Sequence, residues 1–192
     1  MDLSPETLFS ILIGIGLAAS VGFRIFVPLF ALSLASYSGI IPLNESWEWV
    51  GSSTALMILG VATVVEILAY FIPFLDNLLD TVAVPLAAIA GTAVMVATVS
   101  DLDPTITWAL AIIAGGGTAA VIKGSTSTTR LASTASTTGI ANPVISTVET
   151  GTSIVMSVFA IFIPILAIIC VVIIFWVLYK VFKLFKFSKS KR

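Results

Sequence analysis

Residues 50–74 read VGSSTALMILGVATVVEILAYFIPF, an apolar run whose single charged residue, Glu66, lies past its middle. About 20 such residues cross the hydrocarbon core of a bilayer as a helix. A charge at that depth costs about 2.5–3.5 kcal/mol on insertion scales and is kept mainly where it faces a polar interior or a partner. The segment therefore predicts a membrane-spanning helix whose carboxylate has a specific role.

The composition extends this prediction to the whole chain. Its 192 residues are 58% hydrophobic and 10% charged, with a mean hydropathy of +1.15. We expect an all-α integral membrane protein with about five transmembrane helices, forming one membrane domain over residues 1–192. The chain has no histidine and one cysteine, Cys170, so neither a zinc or haem site nor a disulfide framework is expected.

Basic residues are concentrated at the C-terminus, where six of the nine lie in the last thirteen positions. Basic residues near the end of a span are retained on the cytoplasmic side. We therefore expect residues 179–192 to be a basic cytoplasmic tail of a protein in the cell membrane. The N-terminal segment contains Asp2 and Glu6 but no basic residue, and it is expected outside.

Interruptions divide the apolar sequence into segments of unequal length. The first segment, residues 8–37, is too long for one straight span, and Gly22, Arg24 and Pro28 interrupt it. Further spans are predicted over residues 50–74, 82–99, 106–122 and from about Gly151 into the tail.

The stretch Gly124–Thr150 is rich in hydroxyl groups, with thirteen Ser or Thr among its twenty-seven residues. A soluble loop can have this composition. The stretch carries only two charges, however, and keeps regularly placed apolar residues between two spans. These features favour a re-entrant or broken-helix segment, in which small hydroxyl residues satisfy the interrupted backbone.

Two parts of the chain share short sequence matches in the same order. Residues 33–40, SLASYSGI, match residues 133–140, STASTTGI. Downstream of them, Phe71-Ile72-Pro73 recurs as Phe162-Ile163-Pro164. The common order indicates a duplicated unit.

The duplication predicts repeat units over residues 8–74 and 106–178, joined by the span at 82–99. If each unit holds a helix, a re-entrant or broken-helix hairpin and a returning helix, there are five crossings and the two units are inverted. In such proteins polar sites collect near the midplane at broken helices. If residues 8–37 instead cross twice, there are six spans and both ends lie inside.

Five charged residues lie inside or beside apolar segments, and a function is sought among them: Arg24, Glu66, Lys123, Arg130 and Glu149. A glycine and a proline flank Arg24, so the helix can break there and point amide groups at an anion. Arg130 lies among hydroxyl residues, and two such arginines suit a phosphate or a carboxylate. Alternatively, each arginine pairs with Glu66 or Glu149 and only locks helices together.

Each carboxylate has its own alternatives. Glu66 could carry a proton or coordinate a cation. Glu149 is expected at the start of the last span, where a helix N-terminus favours negative charge. The full set of predicted substrate-binding or ion-binding residues is Arg24, Glu66, Arg130, Glu149, Asn142, Ser133 and Ser136.

Two aspartates, Asp76 and Asp80, lie one helical turn apart in a predicted polar joint between two spans. This spacing could hold Mg²⁺ or another hard cation through oxygen ligands. Solvation and helix capping are the alternative roles. The sequence contains no Gly-rich phosphate motif followed by lysine, no serine elbow and no histidine base, so an enzyme is not the favoured class.

Four motifs carry a resemblance to a known family: Gly22-Phe23-Arg24, the segment from Phe71 to Asp80, the segment from Ala111 to Gly117, and Gly139-Ile140-Ala141-Asn142-Pro143. Over nearly its whole length the chain resembles the uncharacterised membrane family known as domain of unknown function 4126. The resemblance implies a small multi-span membrane protein and supplies no activity or substrate.

These observations favour a small transporter or channel with a charged, hydroxyl-rich site at the membrane midplane. Its expected partners are membrane lipids and a small anionic solute or a phosphate-bearing lipid, with no nucleic acid and no cofactor beyond a divalent cation at the aspartate pair. Five short spans leave little room for a cavity, which makes a homodimer a further expectation. The alternatives are a metal-dependent enzyme acting on a lipid phosphate, and a structural or assembly protein.

Overall fold

Most helices of the computed structural model begin at or next to a proline. The structure describes residues 4–100 and 102–189, and for residues 73, 74, 77 and 184–189 it describes the backbone alone. Proline is favoured in the first turn of a helix because its missing N–H would have no partner there. Helices α1, α4, α5 and α8 begin at a proline, and α7 has one as its second residue.

The described residues form eight α-helices and two shorter helical turns. The α-helices are α1 (Pro5–Val21), α2 (Phe26–Tyr37), α3 (Ser53–Ala69), α4 (Pro73–Thr98), α5 (Pro104–Leu110), α6 (Gly117–Thr137), α7 (Asn142–Phe162) and α8 (Pro164–Lys189). A 3₁₀ turn, Glu45–Gly51, precedes α3, and a π-helical turn, Ala111–Gly116, joins α5 to α6.

Four stretches are long and apolar enough to cross a membrane: Leu78–Thr98, Pro104–Thr137, Asn142–Phe162 and Pro164–Lys183. The pair Glu45–Gly51 and Ser53–Ala69, bent by 64° where the two meet, would make a fifth. The prediction of an all-α membrane protein with about five spans is thereby confirmed.

The central helix is α1, which packs against α4, α7 and α8. Its residues Leu17, Ala18 and Ala19 are completely buried. The Ser20 hydroxyl donates to the Ser153 carbonyl at 2.7 Å and lies 2.7 Å from the Ser157 hydroxyl. Small residues and hydroxyls of this kind let helices approach closely in lipid.

Neighbouring contacts fix the directions of the helices. Ser20 lies opposite Ser153 whereas Gly16 lies opposite Ala160, so α1 and α7 are antiparallel. Gly16 also lies beside Ala167, and Ala19 clusters with Val171, so α8 runs parallel to α1. The chain therefore enters at one end of the bundle and leaves at the other.

Two predicted boundaries are wrong. Asp76 and Asp80 lie inside α4, not in a polar joint, because the break comes earlier, at Tyr70–Ile72, and Pro73 starts the next helix. The last span is not continuous from Gly151, since α7 ends at Phe162 and α8 begins at Pro164.

The hydroxyl-rich stretch is mostly regular helix. It forms the second half of α6, a turn at 138–141 and the first turns of α7. Gly139 adopts a φ of 86° in this turn, and Gly39 adopts a φ of 70° after α2. Both glycines therefore occupy the left-handed region that other residues avoid, at matching places of the two sequence matches.

Candidate functional site

Six charged side chains from five parts of the chain meet in the interior, and we refer to them as the buried charge cluster. They are Arg24, Glu66, Asp76, Lys123, Arg130 and Glu149. Each is no more than 7% exposed. Burial of this extent is rare for charged residues unless they are paired, so the contacts of each one decide what the cluster can do.

Arg24 lies in the break between α1 and α2 and reaches across to α7. Its Nε donates to the Thr150 hydroxyl at 3.0 Å, and its Nη2 donates to the Ser146 carbonyl at 3.0 Å and to the Ser146 hydroxyl. The same Nη2 is 3.7 Å from a carboxylate oxygen of Glu149. Arg24 therefore joins the break to α7 through one side of its guanidinium.

Arg130, on α6, binds two carboxylates. Its Nε donates to Glu149 at 3.1 Å, its Nη2 donates to the same carboxylate, and its Nη1 donates to Asp76. The second oxygen of Asp76 accepts from the Asn142 amide at 2.9 Å. This network joins α4, α6 and α7 and is the best-paired part of the cluster.

Glu66 makes no ion pair with an arginine of the described part of the chain, contrary to one of the alternatives that its sequence context allowed. Its two carboxylate oxygens accept from the backbone N–H groups of Ile25 and Phe26 at 2.8 and 2.9 Å. These amides belong to the first turn of α2, where the N–H groups have no partner within the helix. Glu66 thus caps α2 from a different helix.

Lys123 holds the other side of the same break. Its ammonium group donates to the Phe23 carbonyl at 3.3 Å, and no ion pair to it is found among the described side chains. The carbonyl belongs to the segment that follows α1, where the helix dipole favours a cation. The break is therefore held by a lysine at its α1 end and by a glutamate at its α2 end.

Tyr70 lies at the centre of the three cations. Its ring centroid is 4.0 Å from the Arg24 guanidinium carbon, 4.5 Å from that of Arg130 and 5.1 Å from the Lys123 nitrogen. Cations are attracted to the face of an aromatic ring, and the attraction is stronger when water is excluded. The tyrosine ring thus keeps three positive groups close together.

Two buried polar atoms of this region have no hydrogen-bond partner among the residues that the structure describes, namely Nη1 of Arg24 and Oδ1 of Asn142. A charged donor left unsatisfied in the interior costs more than the 1–3 kcal/mol typical of a neutral one. The cationic side of the cluster is therefore not fully satisfied by the protein.

Cavities flank the cluster on two sides. One, of about 310 Å³, lies between α2, α3 and α4, and Glu66 and Tyr70 line it. Another, of about 300 Å³, lies between α6 and α7, and Glu149 and Phe23 line it. Phe23 faces one cavity and Ile25 the other, so the break forms part of the wall between them.

The structure brings together five of the seven predicted binding residues and leaves two outside. Arg24, Arg130 and Glu149 are in direct contact, Asn142 joins them through Asp76, and Glu66 lines the neighbouring cavity. Ser133 and Ser136 do not join, because the Ser136 hydroxyl donates to the Ala132 carbonyl of its own helix and Ser133 faces Thr137.

The predicted position of Glu149 is wrong. It is the eighth residue of α7, not a residue of its N-terminus, and it pairs with Arg130. The helix begins earlier than expected, at Asn142 and Pro143, because the glycine turn at 138–141 starts a new helix at once.

The two aspartates of the predicted metal pair bind different partners. Asp76 gives both oxygens to Arg130 and Asn142, while an Asp80 oxygen lies 3.4 Å from the Ser127 hydroxyl. In the described part of the chain no group of three or more potential metal ligands from His, Cys, Asp and Glu is found. A divalent cation would have to displace Arg130 to use Asp76.

Sequence reasoning placed Lys123 among the five charges where a function is sought, but it named neither Lys123 nor Tyr70 as a binding residue. Lys123 carried the same signal as the other charges, a basic residue at the end of an apolar span. Tyr70 gave a weaker signal, its position four residues after Glu66 on one helix face. Ser146 gave no signal in the sequence, because one serine among many does not show whose carbonyl and hydroxyl an arginine will bind.

Comparison with known proteins places the chain in a family without assigning it an activity. Neither a curated protein nor a solved structure matches it. One family profile, described as Domain of unknown function (DUF4126), matches residues 11–183. The match covers nearly the whole chain, including all six residues of the buried charge cluster, and the protein belongs to this family.

Proposed function

We propose that the protein is a small membrane transporter whose buried charge cluster binds an anionic solute or the phosphate of a lipid. The observation that carries the proposal is Nη1 of Arg24, a completely buried guanidinium nitrogen without a hydrogen-bond partner. An arginine presents paired donors that fit a phosphate or a carboxylate. An anion at this nitrogen would satisfy donors that the protein leaves unused.

The arrangement of the helices supports a transporter with inverted repeats. The order helix, glycine turn, helix, Phe-Ile-Pro break, helix occurs in α2–α4 and again in α6–α8. The corresponding helices α4 and α8 run in opposite directions: α8 is parallel to α1, whereas α4 is antiparallel to it, because Gly14 lies beside Thr98 and Ile25 shares a cavity wall with Ala83. Binding at a broken helix near the midplane is typical of such transporters.

The proposed access from two sides is based on the two cavities that flank the cluster. Each reaches a carboxylate of the cluster, Glu66 in one case and Glu149 in the other, and the break with Arg24 separates them. In alternating access, a central site opens to one side at a time while the other side stays closed. We propose that the break is the element that alternates.

Ligand-dependent stabilisation tests the anion site. Detergent-purified protein is heated in inorganic phosphate, in acetate or with a short-chain phosphatidic acid, each compared with chloride at equal ionic strength. A ligand present at 100 times its Kd stabilises by about 2.7 kcal/mol, which raises the Tm measurably. The three compounds distinguish free phosphate, carboxylate and lipid phosphate.

Three variants make the assay specific. Arg24→Gln should abolish the stabilisation, Arg24→Lys should weaken it, and Lys180→Gln, which removes an exposed cation near Trp176, should leave it unchanged. Uptake of the stabilising anion into proteoliposomes should follow the same order. Equal stabilisation of the unmodified protein and all three variants would refute the anion site. The absence of stabilisation by any of the three compounds would refute it as well.

A structural role is the second candidate, and the Arg130 network favours it. Arg130 has two carboxylate partners and needs no ligand. The metal-dependent enzyme has less support, because Asp76 is already bound on both oxygens. Stabilisation by Mg²⁺ that is lost in both Asp76→Asn and Asp80→Asn would revive it.

A further inference from the structure

The two ends of the helical bundle carry exposed charges of opposite sign. At the end where α1 begins and α4 finishes, the described charged residues are all acidic: Glu6, Glu45, Glu48 and Asp103. The turn Glu45–Gly51 lies there because the Asn44 N–H donates to the Ala97 carbonyl at 2.9 Å, close to the last residue of α4. Asp103 caps α5, which begins a few residues after α4. We refer to this end as the acidic end.

The opposite end of the bundle receives the last turns of α8. Gly16 of α1 lies against both Ala160 of α7 and Ala167 of α8, and these two helices run in opposite directions. Asn142 is eighteen residues before Ala160, and position 185 is eighteen residues after Ala167. At about 1.5 Å per residue, both lie about 27 Å from Gly16 along the bundle. The C-terminal turns of α8 therefore reach the level at which α7 begins, at the end opposite the acidic end.

The C-terminal part of α8 makes this end basic. No acidic residue follows Glu149 in the sequence, whereas six of the nine basic residues lie at positions 180–192, which we refer to as the basic segment. The backbone of α8 is helical to Lys189 and has a lysine at every third position: Lys180, Lys183, Lys186 and Lys189. At about 3.6 residues per turn, successive lysines are about 60° apart, so the four occupy about half of the helix circumference.

An exposed tryptophan marks the depth at which the basic segment leaves the hydrocarbon. Trp176 is 59% exposed, and its ring centroid is 5.0 Å from the ammonium nitrogen of Lys180, one helical turn later. Tryptophan is enriched where the hydrocarbon meets the headgroups, and lysines near helix ends extend their amines toward that region. The boundary therefore lies close to Trp176, and Lys183, further along the helix, lies at the level of the headgroups.

Apolar residues between the lysines favour a membrane surface over a soluble anionic partner. Val181 and Phe182 are 41% and 58% exposed. In water these side chains would face solvent, whereas beside the headgroups they stay in contact with the acyl chains. Basic residues clustered next to a membrane span are attracted to anionic lipids by the negative potential of the membrane surface. The basic segment combines both features.

We propose that the basic segment binds the headgroups of anionic lipids, and that the acidic end does not bind them. Lys183, Lys186 and Lys189 provide the charge on the described part of the helix, while Lys180 already lies over the ring of Trp176. A lipid phosphodiester without an amine, such as that of phosphatidylglycerol, accepts hydrogen bonds from ammonium groups and brings a negative charge. The proposal concerns a surface outside the buried charge cluster and does not depend on transport.

Quenching of a single tryptophan by brominated lipids tests the proposal. With Trp47, Trp49 and Trp108 replaced by phenylalanine, Trp176 is the last of the four tryptophans and reports on the lipids beside the basic segment. The protein is reconstituted in phosphatidylcholine vesicles that contain brominated phosphatidylglycerol or brominated phosphatidylcholine. Both leaflets have the same composition, so the orientation of the protein does not affect the result.

Phosphatidylglycerol should bind beside Trp176 about fivefold more strongly than phosphatidylcholine at about 0.05 M salt, and this preference should fall at about 0.5 M salt because exposed charges are screened. Replacing Lys183, Lys186 and Lys189 together by glutamine should remove most of the preference, and replacing them by arginine should keep it. Lys180→Gln should also keep most of it. Equal quenching by the two lipids in the protein with its lysines, or an unchanged preference in the triple glutamine variant, would overturn the proposal.

Trp108 gives the matched control at the acidic end. It is 50% exposed and lies in α5, the helix that Asp103 caps. A protein with Trp108 as its single tryptophan should show no preference for phosphatidylglycerol, because the acidic side chains nearby repel anionic headgroups. An equal preference at Trp108 and Trp176 would mean that the basic segment does not select the lipid, and the proposal would be wrong.

Thermal unfolding gives a second measurement that leaves all four tryptophans in place. In detergent at about 0.05 M salt, phosphatidylglycerol should raise the Tm more than the same amount of phosphatidylcholine, because a ligand that binds the folded state stabilises it. The triple glutamine variant should lose this difference. Equal Tm values with both lipids would contradict the proposal. A difference that persists in the triple glutamine variant but is lost in Arg24→Gln would overturn it too, by assigning the lipid to the buried charge cluster.

Discussion

At the scale of single residues, the cluster combines well-paired and poorly paired charges. Arg130 has carboxylate partners on two helices, whereas Arg24 depends on hydroxyls, a carbonyl and a more distant carboxylate. The sequence predicted which residue types would be buried, because a charge inside an apolar run has few other places to go. It could not predict that Glu66 would bind backbone amides, since partner choice depends on helix depth and rotation.

The Arg130 network predicts strong and coupled effects on stability. Arg130→Ala leaves Asp76 without its cation and Glu149 with only the more distant Arg24, and loss of one member of a buried pair costs about 3–5 kcal/mol. Adding Glu149→Gln should recover part of this loss, with a coupling energy of about 0.5–3 kcal/mol. Unfolding of the purified protein in detergent measures both values.

Glu66→Gln serves as the comparison, because Glu66 makes no ion pair with Arg130 among the described residues. Combined with Arg130→Ala, it should give an additive effect within about 0.5 kcal/mol. Equal coupling of Glu66 and Glu149 to Arg130 would show that the cluster is one diffuse network and would contradict the pairing described above.

At the scale of helices, close contact between α4 and the π-helical turn depends on glycine. Gly91 and Gly115 face each other across this contact, and a Cβ added at Gly115 would lie 2.6 Å from the Gly91 carbonyl oxygen. That oxygen belongs to the backbone and cannot rotate away. Gly115 belongs to the π-helical turn, Ala111–Gly116, and small residues of this kind let two helices approach closely.

Gly115→Ala should therefore destabilise the protein by about 1–3 kcal/mol, the usual cost of overpacking a well-packed contact. Gly151→Ala is the matched control, because a Cβ there meets no atom within 4 Å. It should be neutral or stabilise α7 by up to about 1 kcal/mol through helix propensity. Thermal unfolding of both variants measures the difference, and equal stabilities would mean that the α4 contact is loose.

At the scale of the whole molecule, the two Phe-Ile-Pro motifs show what the sequence could and could not predict. Each precedes or includes a helix break, at Tyr70–Ile72 and at Ile163, and each proline starts the next helix. The repeated motif was visible in the sequence, but its meaning was not, since an apolar run gives no sign of where it bends. The interior partners of the break between α1 and α2 likewise depend on contacts between residues far apart in the sequence, such as Lys123 with Phe23, which are a hundred positions apart.

The direction of the chain gives the last prediction. Because α1 and α8 run parallel, a residue before α1 and a residue after α8 should lie on opposite sides of the membrane. To test this, Ser4 and Ser190, the latter beyond the described residues, are each replaced by cysteine in a Cys170→Ser background. Six basic residues in the last thirteen positions should keep the C-terminal side in the cytoplasm. An impermeant thiol reagent applied to intact cells should therefore label Ser4→Cys, and Ser190→Cys only after the cells are opened. Labelling of both from one side would mean an even number of crossings, and the two halves could then not be inverted copies.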